Sequence, residues 1–331
     1  MDRLLSALVA IVGGVGAIVI YFYGSNLLLD FAIRDARTAA GDFVSRERVR
    51  EQIRPWLFIG PAILILTVYI VYPAVQTAIF TFVDREGEVF VGFDNYARAG
   101  RDPLFWQAVQ NNSLWLIVVP SLSTVFGLLI AVLADRIAWG NIAKSLIFMP
   151  MAISFVGASV IWKFVYELDP RIGLLNAVLG FLKIDPVNVL RLEFWNSFFL
   201  MIILVWVQTG FAMVLLGAAL RGVPEESLEA ARIDGANEIA VFFRIMVPQI
   251  LSTIFVVWTT ISITVLKVFD IVAGMTNGTL GTQVMANYMY DNLFKAFDTG
   301  YSSLLAFVLM IAVVPIMVLN IRRFQQEDSR R

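Results

Sequence analysis

The sequence predicts an all-α protein, a polytopic membrane bundle of about seven transmembrane helices. Two observations carry that reading. Hydrophobic residues make up 59% of the 331 and charged residues only 15%, whereas a soluble domain is about half apolar and a quarter charged. Seven stretches, near 4–23, 56–80, 114–134, 145–165, 194–220, 247–266 and 302–321, are each apolar over a membrane length, since a hydrocarbon core of ~30 Å takes about 20 helical residues.

The first stretch exceeds the apolar core of a signal peptide and no small-x-small cleavage pattern follows it, so it reads as a retained helix. An Arg-rich linker follows, with Arg34, Arg37, Arg46, Arg48, Arg50 and Arg54. Residues 1–55 therefore form one unit, a helix with its basic linker, and 56–331 a larger membrane domain that carries a polar loop at 221–247. Pro61, Pro73, Pro120, Pro150 and Pro315 fall in or at the ends of apolar runs, where neighbouring helices can satisfy the freed carbonyls. Gly127, Gly157, Gly217 and Ala218 suit close helix contact.

Lys and Arg set the orientation, because they concentrate on the cytoplasmic side. The linker, the turn of Arg136 and Lys144, the loop of Arg221, Arg232 and Arg244, and the tail of Arg322, Arg323, Arg330 and Arg331 hold fifteen of them, against eight on the other face. The polar loop and the C-terminus are thus expected inside, and the N-terminus outside. Lys163 and Lys267 fall near the outer ends of their helices, where snorkelling to the interface is the default and pairing of Lys267 with Asp270 the alternative.

Several classes of chemistry are excluded. The chain has no cysteine and no histidine, no Gly is followed by Lys as a phosphate loop requires, and the net charge is −1. Cys/His zinc sites, imidazole or thiol catalysis and an ATP site of the Walker type are excluded from such a chain, and no global basic field argues for nucleic acid. A secondary transporter or channel would need coupling carboxylates in its spans, and the seven stretches contain no Asp or Glu. A membrane enzyme has little support in a chain with no His or Cys and no paired carboxylates of the DDxxD kind on a loop.

Between the fifth and sixth stretches stands Glu229-Ala230-Ala231-Arg232-Ile233-Asp234-Gly235-Ala236, with Pro248 at the head of the next apolar run. Physically it is a short helix opened by Pro224, broken at Asp234 and Gly235, and followed by a second short helix to Val247. It forms a polar knob outside the bilayer. Ala230 and Ala231 permit close approach, Gly235 accepts a bend, and Glu229 and Asp234 offer carboxylates to basic groups of a partner.

These residues resemble the loop by which permease subunits of bacterial ABC importers dock onto their ATPase: Glu-Ala-Ala, then Gly after three intervening residues, then Pro. Two further regions are similar to the sugar-permease branch, maltose or alpha-glucoside type. One runs Phe90-Val91-Gly92-Phe93-Asp94-Asn95-Tyr96, with Asp102-Pro103-Leu104-Phe105-Trp106 and Asn111-Asn112. The other is Phe269-Asp270-Ile271, with Met275-Thr276-Asn277-Gly278. The resemblance covers the chain from Trp56 onward and is closest to alpha-glucoside permeases. It implies an inner-membrane transport subunit without covalent chemistry or cofactor of its own. ATP and Mg would sit on partner ATPase subunits. A second homologous permease and an extracytoplasmic sugar-binding protein would complete the assembly. Two departures stand out: the outer loops are too short for the large extracytoplasmic domain of some maltose-type relatives, and Gly278-Thr279-Leu280 stands where many relatives read Gly-Gly-Pro, which predicts a different turn.

By position, the resemblance puts sugar contacts near mid-membrane around 150–155, 206–210 and 262–270. Ser154, Trp206, Gln208, Thr209, Gly210, Ser262 and Thr264 offer the hydroxyls, amide, indole and bare backbone that suit a sugar. Taken singly, Ser and Thr commonly bond their own helix and Trp commonly packs. Gln208 is the sharpest member, because an amide in the bilayer needs a partner.

Overall fold

In the computed structural model the structure describes residues 2–33, 36–37, 43–44, 47–135 and 137–328. Arg34, Arg46, Arg136, Arg330 and Arg331, counted above for orientation, lie outside the described residues. Described elements are α-helices apart from short 3-10 and π turns and one antiparallel pair of two-residue strands, β1 (Ala36–Arg37) and β2 (Phe43–Val44).

The chain divides into two compact units, 1–76 and 77–331. In the first, α1 (Asp2–Ala32) lies beside α2 (Glu47–Leu66). The Tyr21 hydroxyl donates to the Leu57 carbonyl at 3.1 Å, Phe22 stacks on Phe58 at 5.0 Å, and Arg54 pairs with Asp30 at 3.0 Å. Most side chains described in this unit face outward, as they do on helices surrounded by lipid. A π turn, Thr67–Val71, joins α2 to α3 (Tyr72–Phe80).

The second unit is a helix bundle. Its centre is α5 (Pro103–Ala134) packed along α9 (Trp195–Arg221), with α13 (Leu251–Leu266) across α5. Trp115, Val119, Leu200, Leu204, Val257 and Ile261 meet in one core. Short elements complete it: α4 (Asp94–Arg101), α6 (Gly140–Phe148), α7 (Phe155–Val165) and α8 (Leu174–Phe181). After α9 come α10 (Glu225–Ile233), α11 (Glu238–Val241) and α12 (Val247–Gln249). After α13 come α14 (Asp270–Met275), α15 (Met285–Tyr290) and the long α16 (Thr299–Asp328).

Among the described residues five helices are long and apolar enough to cross a membrane, and two bent pairs bring the number to seven. The runs at 145–165 and 247–266, expected as plain spans, are the ones that bend. Gly140–Ala152 meets Phe155–Val165 at 109° and Glu238–Gln249 meets Leu251–Leu266 at 69°. Each bend follows a proline, Pro150 or Pro248, that cannot donate to the ladder. After the first bend Ser154 restarts the helix, its hydroxyl accepting from the Gly157 amide at 3.1 Å. With these spans the chain is a polytopic inner-membrane protein.

The motif residues at the end of the bundle where α5, α9 and α16 begin are tied into the bundle's own hydrogen bonds. Asn95 donates to the Thr81 and Val83 carbonyls at 3.0 and 2.7 Å. Asp102 caps α5 and accepts from the hydroxyls of Tyr288 and Tyr301 at 2.5 and 2.6 Å. Asn112 accepts from the Met285 amide at 2.8 Å. Lys163 and Lys267 are both exposed, and among the described residues Lys267 makes no ion pair with Asp270.

Candidate functional site

The polar loop folds as two helical arms. Pro224 stands at the N-cap of α10 and Asp234 at its C-cap. Gly235 has a φ of 84°, the left-handed value that a glycine adopts without the Cβ clash. Its amide donates to the Arg232 carbonyl and the Ala236 amide to the Ala231 carbonyl, both at 3.0 Å. This is a Schellman closure, which satisfies carbonyls a helix end otherwise leaves bare. Asn237 then caps α11, accepting from the Ala240 amide at 2.8 Å. The second arm continues through a π turn, Phe242–Met246, to α12, two residues past the expected Val247.

The arms are braced against each other and against the bundle. Arg232 Nε donates to Glu238 Oε1 at 2.9 Å. That bond and the Glu238 charge raise the Arg232 guanidinium above its ordinary pKa. The knob's seat is a separate apolar cluster in which Leu228 packs against Leu220, Val223 and Ile250. Ala231 is buried while Ala230, Glu229 and Asp234 are exposed, so the two alanines serve different faces. Sequence reasoning passed over three apolar side chains that the knob holds out: Ile233 is 86% exposed, Ile239 70% and Phe243 63%. The signal was present, since bulky apolar residues in a polar loop have no core of their own to enter.

A second feature lies among the membrane helices. A cavity of about 400 Å³ is lined by Met151, Phe155, Gln208, Phe211, Thr260 and Thr264, with Val207 and Ile261. Gln208 is only 9% exposed, and among the described residues no protein group hydrogen-bonds its amide. A buried amide without a protein partner is one that a ligand or water must satisfy. Thr260 and Thr264, one turn apart, direct their hydroxyls to the carbonyls of Val256 and Thr260, which leaves each oxygen able to accept.

Of the seven residues read from the sequence, the structure brings Gln208 and Thr264 into this cavity. Thr209 bonds the Val205 carbonyl at 2.7 Å and Ser262 the Trp258 carbonyl at 2.8 Å, both within their own helices. Ser154 caps α7, and Trp206 meets Trp162 edge to face at 5.8 Å. Gly210 lies against α6: a Cβ there would stand 2.7 Å from the Ile147 carbonyl. Phe211 and Thr260 were missed. Each is one turn from Gln208 or Thr264, a spacing that marks a shared helix face.

Residues 107–327 match a family described as binding-protein-dependent transport system inner membrane component. The chain is 55% identical over 335 residues to an alpha-glucoside transport system permease protein of Rhizobium meliloti (strain 1021), with 99% of each chain covered. It is 47% identical over 279 residues to an osmoprotective compounds uptake permease protein of Synechocystis sp. (strain ATCC 27184 / PCC 6803 / Kazusa), covering 83% of this chain and 100% of that one. A crystal structure of a bacterial ABC transporter involved in the import of the acidic polysaccharide alginate contains a chain of similar fold. The TM-score is 0.70 at 21% identity, covering 83% of this chain and 99% of that chain.

Proposed function

Because the chain belongs to the binding-protein-dependent transport system inner membrane component family, we propose that it is the permease subunit of an ATP-driven importer for a neutral oligosaccharide of the alpha-glucoside class. One observation carries the mechanism. The knob is the covalent link between α9 and α13, and those two helices supply Gln208, Phe211, Thr260 and Thr264 to the membrane cavity. A displacement applied to the knob therefore reaches both walls of the cavity. The Schellman closure, the Arg232 ion pair and the Leu228 seat make the knob a stiff lever for that displacement.

In this reading the knob end is cytoplasmic and engages a separate ATPase subunit through Glu229, Ala230, Asp234 and Gly235, together with the exposed Ile233, Ile239 and Phe243, while the buried Ala231 lets the first arm lie close against its own seat. ATP-driven closure of the ATPases moves the knob and exposes the cavity alternately to the two sides, a two-state change biased by the nucleotide. Within the cavity Gln208 and Thr264 meet sugar hydroxyls, and Phe155 and Phe211 offer apolar ring faces. A homologous permease, ATPase subunits carrying ATP and Mg, and an extracytoplasmic binding protein complete the importer. Residues 1–55 add a helix and a basic linker to the permease domain 56–331. The identity with the alpha-glucoside permease along the full chain supports the substrate class. The relative named for osmoprotective compounds puts such compounds on the same assay panel.

The test is reconstitution with the partner subunits in proteoliposomes, measuring ATP hydrolysis and uptake with maltose, sucrose and trehalose. ATPase stimulation that depends on both sugar and binding protein is the expected result. Uptake driven by an ion gradient without ATP would instead identify a secondary transporter.

A further inference from the structure

We propose that the end of the bundle opposite the knob carries a second binding subsite for a neutral saccharide, an antechamber in series with the Gln208 cavity. The proposal rests on the reading of the chain as a neutral-sugar permease. A cavity of about 700 Å³ opens there, lined among others by Gln107, Gln110, Arg191, Glu193, Phe194 and Ser197; ligand sites typically run from ~300 to ~1,000 Å³. Among the described residues the Gln107 and Gln110 amides, the Arg191 guanidinium and the Glu193 carboxylate bond no protein group. Arg191 and Glu193 do not pair with each other, although they are opposite in charge and two residues apart.

The wall behind these groups is pre-set. Asn111 donates to the Gly281 and Gln283 carbonyls at 2.8 Å each, and Asn196 donates to the Leu280 carbonyl at 2.6 Å. Two lining residues, Phe194 and Leu280, hold left-handed backbone with φ of 67° and 57°. Such strain in non-glycine residues gathers at functional sites, where the surroundings enforce it.

The free groups suit a polyol. Amides both donate and accept, a guanidinium only donates and a carboxylate only accepts, so adjacent hydroxyls of a sugar can be met in either sense. Arg191 and Glu193 cancel in charge, which favours a neutral ligand over an acidic one. Phe194 is largely exposed and offers its ring to C–H faces. This is not the membrane cavity seen from the other side. Ser197 and Gln208 are eleven residues apart on α9, about 16 Å along it and nearly on one face. Between them Leu200, Met201 and Leu204 are fully buried and seal the stripe.

Two experiments on the reconstituted importer test this. The chain contains no cysteine, so Gln110→Cys can be labelled with a membrane-impermeant maleimide and followed on this subunit alone. Maltose, without binding protein, should slow labelling about fivefold near saturation. In the Gln107→Ala, Gln110→Ala double variant, sugar moved per ATP hydrolysed should fall about tenfold, with the affinity for binding protein unchanged. Absence of protection, or an unchanged sugar-to-ATP ratio in the double variant, overturns the subsite while leaving the permease reading intact. A fall in binding-protein affinity that parallels the fall in uptake overturns it in favour of a protein-docking surface. A wild-type importer that moves no neutral sugar overturns the permease reading and the subsite together.

Discussion

Gly235 isolates backbone conformation from packing better than any other residue of the knob. Its φ is 84°, yet a Cβ built there meets no heavy atom within 4 Å. A substitution therefore costs only the left-handed strain, ~1–2 kcal/mol for an ordinary L-residue. Asn tolerates that conformation best, Ala bears the strain, and Val adds the stiffness of its branched Cβ. A cost of ~1.4 kcal/mol shifts the closed-to-open ratio of the Schellman turn about tenfold. The seat of Leu220, Val223 and Ile250 is untouched, so the membrane helices stay folded. Amide hydrogen exchange at Gly235 and Ala236 should thus accelerate in the order Asn, Ala, Val. ATPase retained on purification and sugar-stimulated hydrolysis should decline in that order. If Gly235→Val and Gly235→Ala accelerate exchange but leave retention and uptake at wild-type levels, the knob is a connector and the lever argument fails. If exchange itself does not change, the two 3.0 Å closing bonds do not hold the turn.

Replacing Gln208 with Leu should cut uptake at limiting sugar by about tenfold, the value of one or two hydrogen bonds, without loss of assembly; unchanged uptake would remove it from the cavity's function. Ile233→Ser, Ile239→Ser and Phe243→Ser should each weaken ATPase association by about tenfold or more, because a buried apolar side chain contributes ~1.5–3 kcal/mol. Glu229→Ala should instead act mainly on the association rate and its salt dependence, as rim charges do; co-purification at two ionic strengths separates these effects. At the opposite end, burial pushes the Asp102 carboxyl up, but hydrogen bonds from Tyr288, Tyr301 and the Leu104 and Phe105 amides outweigh it and hold its pKa below the ordinary 3.8. A lowered carboxyl stabilises above its unfolded pKa, and that stabilisation disappears as pH falls through the folded value. Heat stability should therefore hold from neutral pH to about 4 and decline below it. Asp102→Asn should lower stability at neutral pH and remove that part of the acid decline, which a melting series across pH reads directly.

The membrane class, the seven apolar runs and the knob with its glycine bend were legible along the chain because each is a local property. Hydrophobic length is a sum over about twenty neighbours, and a left-handed turn is a matter of one residue and its flanks. Tertiary structure alone decided where the spans at Pro150 and Pro248 bend. It also decided that Gly210 abuts Ile147 instead of lining a cavity, and that Thr209 and Ser262 spend their hydroxyls on their own helices. It brought Phe155 from α7, Gln208 and Phe211 from α9, and Thr260 and Thr264 from α13 around one space. In a soluble helix the buried face announces itself through amphipathic periodicity. Here the membrane-length parts of α5 and α9 are apolar on nearly every face, because lipid and protein neighbours make the same demand on a side chain. The rotation of each helix, and with it the side on which an amide or hydroxyl emerges, is set only by the helices that pack against it.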